Sequence, residues 1–105
     1  MNILFICSRN RWRSPTAEEI YKNYPGISAR SAGTEPSARI KLSAKNILWA
    51  DIIFVMEKRH KARLVERFPY DIEDKQVVIL DIPDEYKFMD LELIEDIKTK
   101  VDQYI

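Results

Sequence analysis

Three short apolar runs, and one short segment that ends before Gly33, alternate with amphipathic segments along this 105-residue chain. Most of the runs are rich in β-branched and aromatic side chains, which is typical of buried strands. The segments between them carry apolar residues at helical spacing, and Pro15 suits the first turn of the first helix. The predicted strands are Asn2–Ile6, Ser28–Ala32, Asp51–Met56 and Val77–Leu80, and the predicted helices are a segment opening at Ser14–Glu18, then Leu42–Trp49, Lys58–Phe68 and Asp90–Ile105.

This alternation predicts right-handed strand–helix–strand units, and therefore an α/β fold with a parallel sheet and helices on both faces. We expect one domain over residues 1–105, because the length suits a single core and 46% of the residues are hydrophobic. Each helix should bury its apolar stripe against the sheet. The expected stripes are Ala17, Ile20, Tyr21 and Tyr24; Leu42, Ile47, Leu48 and Trp49; Ala62, Val65 and Phe68; and Ile94, Ile97, Val101 and Tyr104.

Composition argues against several classes of protein. No apolar run reaches the roughly 18 residues of a membrane span, and the N-terminus lacks the basic and small-residue features of a signal peptide. Cys7 is the only cysteine, so no internal disulfide can form, and no cluster of residues has metal-ligand spacing. We therefore expect a cytoplasmic protein that needs no metal or cofactor, and we expect a monomer.

The formal net charge is zero, which argues against nucleic acid as a partner. The charges are nevertheless unevenly spread. Residues 9–30 carry five cationic side chains against two glutamates, whereas residues 81–105 carry three lysines against eight carboxylates. The sequence therefore predicts a positive patch around Cys7, and we interpret the acidic end as a solvated helix face.

The segment from Cys7 to Ser14 has the features of an anion site with a nucleophile. It lies between a predicted strand and a predicted helix, where backbone N–H groups and the helix dipole favour anions. Arg13 adds a planar fork that suits two phosphate oxygens. The same field stabilises a thiolate, to which the Ser14 hydroxyl could donate a hydrogen bond. These residues predict that Cys7 attacks a bound phosphoryl group.

A phosphoryl transfer also needs a proton donor for the leaving oxygen. Asp84 follows the fourth predicted strand, and the carboxyl ends of parallel strands meet at one edge of the sheet. We therefore expect Asp84 to act as a general acid and then to activate water. Asp81 is the competitor, although it is closer to the strand end and could instead cap a turn.

Several nearby residues allow two interpretations. Arg9 and Arg11 could attract an anionic substrate or be solvated. Trp12 could belong to the core or the pocket wall, or it could be a recognition residue. His60, the only histidine, could be a base or a surface residue at a helix start, and Tyr86 could lie at the rim or in the core.

The segment Cys7–Pro15 resembles the phosphate loop of the low-molecular-weight protein tyrosine phosphatase family. The signature of that loop is a cysteine, five residues, an arginine and then a serine or threonine, directly after the first strand. Asn10 falls where the family has an asparagine that shapes the loop. The remaining similar segments are Ser31–Thr34, Ala50–Met56 and Asp84–Tyr86.

The resemblance implies a three-layer fold whose four-stranded parallel sheet has the order 2-1-3-4. It also implies a cysteine-dependent phosphatase without a cofactor. Its substrate would be a phosphorylated protein, above all phosphotyrosine, or a small phosphomonoester, and inorganic phosphate would be a product. Cys7 would be the nucleophile, Arg13 the phosphate clamp, Ser14 the thiolate partner and Asp84 the general acid. The expected substrate- and phosphate-binding residues are Ser8, Arg9, Asn10, Arg11, Trp12, Arg13 and Tyr86.

This chain departs from the family pattern at several positions. Arg9 replaces a common glycine and Trp12 a common cysteine, which removes the protective disulfide and argues against an arsenate reductase relay. The segment between Gly33 and Ala50 is short, so we expect a more open site. Arg11 should repel the guanidinium group of phosphoarginine. In the acid loop, Glu85 replaces a proline and Lys87 replaces a second aromatic residue.

Two other functions are compatible with the same residues. A module that binds a phosphorylated ligand without turnover would use the same anion pocket. A phosphatase for another anionic substrate, such as a nucleotide or an RNA end, is the second alternative, although the lack of a basic and aromatic stripe argues against long nucleic acids.

Overall fold

The computed structural model describes residues 1–105 and has a four-stranded parallel sheet at its centre. The strand order is β2-β1-β3-β4, and every neighbouring pair is parallel. The α/β class and the 2-1-3-4 order are therefore confirmed. The strands are β1 (Asn2–Cys7), β2 (Ser28–Gly33), β3 (Ile52–Val55) and β4 (Gln76–Ile79).

Helices cover both faces of the sheet, as the sequence predicts. They are α1 (Arg13–Tyr21), α2 (Ala44–Trp49), α3 (Lys58–Arg67) and α4 (Leu91–Val101). Successive side chains of β1 point to opposite faces. Ile3 and Phe5 therefore join a core cluster with α1 and α4, while Leu4 and Ile6 join a second cluster with α2 and α3.

The predicted stripe of α3 is right for Phe68 and wrong for Ala62 and Val65. Ala62 and Val65 are exposed, and the buried positions are His60 and Leu64, with Phe68 half-buried at the helix end. These three residues recur every fourth position and so lie on one helix face. His60 can occupy that buried face because its ring nitrogens have hydrogen-bond partners in the protein.

Three other apolar positions also differ from the prediction. Tyr24 lies beyond the end of α1 and is exposed, with its ring packed edge-on against Tyr21. Leu48 is exposed on α2. Tyr104 is exposed because α4 ends at Val101, and Leu93 supplies a buried position in that helix instead. No helix combines the length and the apolar character that a bilayer crossing requires.

The strand order positions the candidate site. After β1 the chain forms β2 on one side of that strand, and it then crosses over to form β3 on the other side. The connections that leave β1 and β3 therefore run in opposite directions, and a crevice opens between these two strands. Ligands of open α/β sheets bind beyond the carboxyl ends of strands at such a point. The loop that begins at Ser8 and the segment that begins at Met56 meet there.

Candidate active site

The loop that joins β1 to α1 has unpaired backbone donors. Cys7 ends the strand and Arg13 begins the helix, and both residues are almost fully buried. None of the N–H groups of Ser8–Trp12 donates to a backbone carbonyl. The positive end of the α1 dipole adds to the field at the same place. The loop is therefore built to receive an anion.

The segment after β2 holds this loop from behind. The N–H groups of Thr34, Glu35 and Arg39 donate to the carbonyls of Cys7, Ser8 and Arg9 at 3.0, 2.9 and 3.0 Å. Because the C=O and the following N–H of a trans peptide point in opposite directions, these bonds turn the loop N–H groups away from that segment. A Cβ at Gly33 would lie 2.6 Å from the Ser8 carbonyl oxygen, so only glycine allows this close approach.

Asn10 supports the loop from its buried side. Its backbone has φ 55°, a conformation that asparagine tolerates better than most residues. Its side-chain amide donates to the Ser14 hydroxyl at 2.9 Å and to the Ser31 hydroxyl at 2.8 Å. The loop is thus tied to α1 and to β2 through one fully buried side chain.

The Ser14 hydroxyl is the direct partner of the Cys7 sulfur. The two atoms are 3.0 Å apart and buried. Since the hydroxyl oxygen already accepts from Asn10, its hydrogen is available for a bond to the sulfur. The alternative acceptor, the Ala32 carbonyl, is more distant at 3.5 Å. A hydrogen bond donated to the sulfur favours the charged thiolate over the thiol.

Two carboxylates meet Arg13, whose side chain is 2% exposed. Its Nη1 donates to Glu57 Oε2 at 2.5 Å and to the Ile82 carbonyl at 2.8 Å, while its Nε lies 3.6 Å from Asp84 Oδ1. Burial would raise the pKa of Glu57, but hydrogen bonds from Arg13 and Arg59 hold that pKa below its ordinary value. One end of the guanidinium is therefore anchored, whereas Nη2 has no hydrogen-bond partner in the protein and Nε has only the half-exposed Asp84 near it.

His60 supports the loop and does not reach the sulfur. Burial, reinforced by the charges of Arg13 and Arg59, lowers the pKa of His60 to about 4. Its Nδ1 accepts from the Glu57 N–H at 3.0 Å, so the neutral ring carries its proton on Nε2. That proton is donated to Ser8 Oγ at 2.9 Å. Both ring nitrogens are engaged, which leaves no free base.

A cavity of about 40 Å³ opens over the sulfur, and we call it the Cys7 cavity. Arg9 and Arg11 are exposed at its mouth, and the Arg11 guanidinium lies 5.0 Å from the ring centre of the half-buried Trp12. Asp84 reaches the cavity from the far side, with 49% of its side chain exposed. The lining residues are Cys7, Ser8, Arg9, Arg11, Trp12, Arg13 and Asp84.

The remaining predicted site residues lie outside the cavity. The side chains of Asn10 and Ser14 are buried on the side of the loop away from the cavity, where the Asn10 amide donates to the Ser14 hydroxyl. Tyr86 packs, half-buried, against the core cluster next to α1 and α4. Asp81 is exposed and does not line the cavity, so Asp84 is the carboxylate brought beside Arg13.

The segments Gly33–Pro36 and Glu57–His60 follow predicted strands, so the sequence groups them at the candidate site. It does not predict the contacts that Gly33, Glu57 and His60 make around the loop. Glu57 lies two residues past the end of β3, at the edge of the sheet where Arg13 lies. Nothing in the sequence, however, indicates which of the many carboxylates would face that arginine. No group of three His, Cys, Asp or Glu side chains is placed to hold a metal ion.

Sequence comparison matches residues 2–103 to the family described as low molecular weight phosphotyrosine protein phosphatase. The chain is 33% identical to a protein-arginine-phosphatase from Geobacillus stearothermophilus, over 70% of this chain and 65% of that protein. It is 32% identical to the low molecular weight protein-tyrosine-phosphatase Wzb from Escherichia coli (strain K12), over 82% of this chain and 78% of that protein. It therefore spans slightly less than two thirds of the first relative's length.

Solved structures share the same fold. The tyrosine phosphatase Wzb from Escherichia coli K30 in complex with sulphate has a TM-score of 0.78 at 19% identity, covering 98% of this chain and 94% of that chain. The YwlE arginine phosphatase from Geobacillus stearothermophilus has a TM-score of 0.75 at 24% identity, covering 97% and 88%. Since the family match extends over nearly the whole chain, this protein belongs to the low molecular weight phosphotyrosine protein phosphatase family.

Proposed function

We propose that this protein hydrolyses phosphomonoesters through a phosphocysteine intermediate and that its substrates are proteins phosphorylated on tyrosine. One observation carries this proposal: the Cys7 sulfur lies 3.0 Å from the Ser14 hydroxyl, in the floor of a loop with unpaired N–H groups. A nucleophile, its stabilising donor and an anion site therefore coincide. The relatives named as phosphatases support the reaction class.

In the first step, the phosphoryl oxygens accept hydrogen bonds from the loop N–H groups and from Nε and Nη2 of Arg13. Cys7 Sγ attacks phosphorus, the S–P bond forms, and the bond from phosphorus to the leaving oxygen breaks. Asp84, in its protonated form, gives its proton to that oxygen, which departs as an alcohol or phenol. Arg13 and the N–H groups stabilise the charge on the equatorial oxygens during the transfer.

In the second step, water attacks the phosphocysteine. The Asp84 carboxylate accepts a proton from the water as the O–P bond forms and the S–P bond breaks. Inorganic phosphate leaves, and the sulfur returns as a thiolate that again accepts a hydrogen bond from Ser14. The proton taken from water restores the protonated Asp84 that the first step requires, and the exposure of this side chain lets water reach it.

The mouth of the Cys7 cavity supports an aryl phosphate over phosphoarginine. Arg9 and Arg11 are exposed cations at this mouth, and they would repel a guanidinium leaving group. Trp12 offers an aromatic wall that a phenyl ring can stack against. One relative is a protein-arginine-phosphatase, which makes phosphoarginine the competing substrate class.

We also propose that the chain acts as a single-domain, cytoplasmic monomer that needs no cofactor and binds no nucleic acid. The single cysteine and the net charge of zero support these features.

The decisive experiment is hydrolysis of p-nitrophenyl phosphate by the wild type and by Cys7→Ser. We expect turnover by the wild type and none above background by the variant. Iodoacetamide should inactivate the wild type at one equivalent per chain, and inorganic phosphate should protect it. Unchanged turnover by Cys7→Ser would refute the mechanism. Tight phosphate binding by the wild type without turnover would instead identify a module that only binds phosphorylated ligands.

A substrate panel tests the selectivity. We expect higher kcat/KM for a phosphotyrosine peptide than for a phosphoarginine peptide of the same sequence or for a nucleoside monophosphate. Arg11→Gln should narrow the gap between the two peptides, because it removes a cation from the mouth of the cavity. A wild type that prefers phosphoarginine would overturn the assigned substrate class.

A further inference from the structure

A row of arginines runs along α3 beside the Cys7 cavity. Arg59, Arg63 and Arg67 are four residues apart, so they lie on one face of the helix. Helix α3 carries five cationic side chains against the single carboxylate of Glu66. None of this charge is used by the proposed chemistry, except that Arg59 contacts Glu57.

This row lines two cavities next to the Cys7 cavity. Ser8 lines both that cavity and a neighbouring cavity of about 50 Å³, which Arg59 and Arg63 also line. Arg63 then lines a third cavity of about 340 Å³, together with Arg67 and Lys41. We call the two outer cavities together the arginine groove.

The positive charge of the arginine groove is largely uncompensated. Neither Lys41, Arg63 nor Arg67 forms a salt bridge. Glu35 is the only carboxylate among the lining residues of the groove. Cations held in a concave surface without partners create a potential that attracts anions.

Part of the groove is also held rigidly. Arg67 Nη1 donates to the Thr34 carbonyl at 3.1 Å, and its guanidinium packs over the Phe68 ring. The Thr34 N–H in turn donates to the Cys7 carbonyl at 3.0 Å. The wall of the groove is therefore tied to the segment that supports the phosphate loop.

We propose that the arginine groove binds acidic side chains that flank the phosphorylated residue of a protein substrate. This inference rests on the proposed phosphatase function. From Arg59 to Arg67 the helix rises by about 12 Å, which an extended peptide covers in about four residues. The preferred substrates therefore carry glutamate or aspartate within about four positions of the phosphotyrosine, on the side that enters the groove.

The test compares phosphotyrosine peptides that differ only in charge. One has three glutamates on the N-terminal side, one has them on the C-terminal side, and one has glutamines at all these positions. We expect one of the acidic peptides to exceed the neutral peptide in kcat/KM, with a gain that shrinks as salt is added. Equal kcat/KM for all three peptides would overturn the proposal.

Matched variants assign the effect to the groove. Arg63→Gln should lower kcat/KM for the preferred acidic peptide about threefold, and Lys41→Gln with Arg63→Gln about tenfold, as expected for partly exposed charges. Lys61→Gln removes the same charge from α3 at a position outside the groove and should have no effect. An equal loss in Lys61→Gln would show that overall charge is responsible and would contradict the proposal.

A small substrate separates this inference from the proposed function. All of these variants should hydrolyse p-nitrophenyl phosphate at the wild-type rate, because that substrate does not reach the groove. Absence of wild-type turnover would defeat the proposed function itself. Normal turnover of p-nitrophenyl phosphate with no preference among the peptides would overturn only the proposal that the arginine groove binds acidic side chains.

Discussion

The two sides of the Cys7 cavity are built in opposite ways. On one side, Asn10 and Arg13 are almost fully buried and are hydrogen-bonded to β2 and to the segments after β3 and β4. On the other side, Asp84 is half-exposed, and its one charged partner is Arg13 at 3.6 Å. The fixed part of this segment ends only two residues before Asp84, at Ile82, which is buried and whose N–H donates to the Met56 carbonyl at 2.8 Å.

This difference matches what each side has to do. The nucleophile and the anion site need a fixed geometry, since misplacement by about 1 Å can cost two orders of magnitude in rate. The proton donor must reach leaving groups of different shape and must exchange protons with water. The contrast predicts that changes to the loop lower both the rate of hydrolysis and the free energy of unfolding, whereas changes at Asp84 lower the rate alone.

The largest expected effect comes from Arg13→Lys. Lysine keeps the charge but lacks the fork that reaches Glu57, Ile82 and a phosphate at once. We expect kcat/KM for p-nitrophenyl phosphate to fall by about 10²–10³-fold, the usual loss for a transition-state donor. Arg11→Lys, at the exposed mouth, is the matched control and should lose little. A small loss of kcat/KM in Arg13→Lys would contradict the role of Arg13 as the phosphate clamp.

Asp84→Asn tests the opposite side. We expect kcat for a substrate with a poor leaving group, such as phenyl phosphate, to fall at least about 10²-fold. The loss should be smaller for p-nitrophenyl phosphate, whose leaving group needs less protonation. The free energy of unfolding should change by less than about 0.5 kcal/mol, because the side chain is half-exposed. Asp81→Asn is the control, and an equal loss of kcat in that variant would argue against Asp84 as the acid.

Asn10→Ala should destabilise the fold where Asp84→Ala does not. The change removes two hydrogen bonds, each worth about 1 kcal/mol, and places alanine at a positive φ that costs about 1 kcal/mol more. We expect the free energy of unfolding, measured with urea, to fall by about 2–3 kcal/mol. Asn10→Gly keeps the backbone conformation accessible and should lose less. Equal stability of Asn10→Ala and the wild type would show that the loop does not depend on this residue.

The smallest expected effect is on the pH dependence of stability. His60 is neutral in the fold with a pKa of about 4, so the unfolded chain binds more protons below its ordinary pKa of 6.5. Stability should therefore fall as the pH is lowered from 6.5 toward 4, and this group should contribute about 2 kcal/mol of that loss between pH 7 and pH 5. His60→Gln should show a shallower decline over the same range. An identical pH profile in the variant would contradict the neutral, buried ring.

The helices show where sequence patterns are informative. Two apolar residues that α1 buries in the core, Ala17 and Tyr21, follow from their helical spacing. In α3 the pattern misleads, because the buried face includes the polar ring of His60 and leaves Val65 in solvent. A periodic pattern of apolar residues cannot identify a polar side chain that is buried because it has hydrogen-bond partners elsewhere in the chain.

The sequence by itself determined the order of strands and helices, the parallel sheet and the position of Cys7 between β1 and α1. These features depend on local composition and on the spacing of neighbouring residues, which the chain carries directly. Only the tertiary structure decided that Glu57 anchors Arg13, and that α3 directs its arginines toward the same edge of the sheet. Those contacts join residues far apart in the chain, and burial selects them from many similar charged residues.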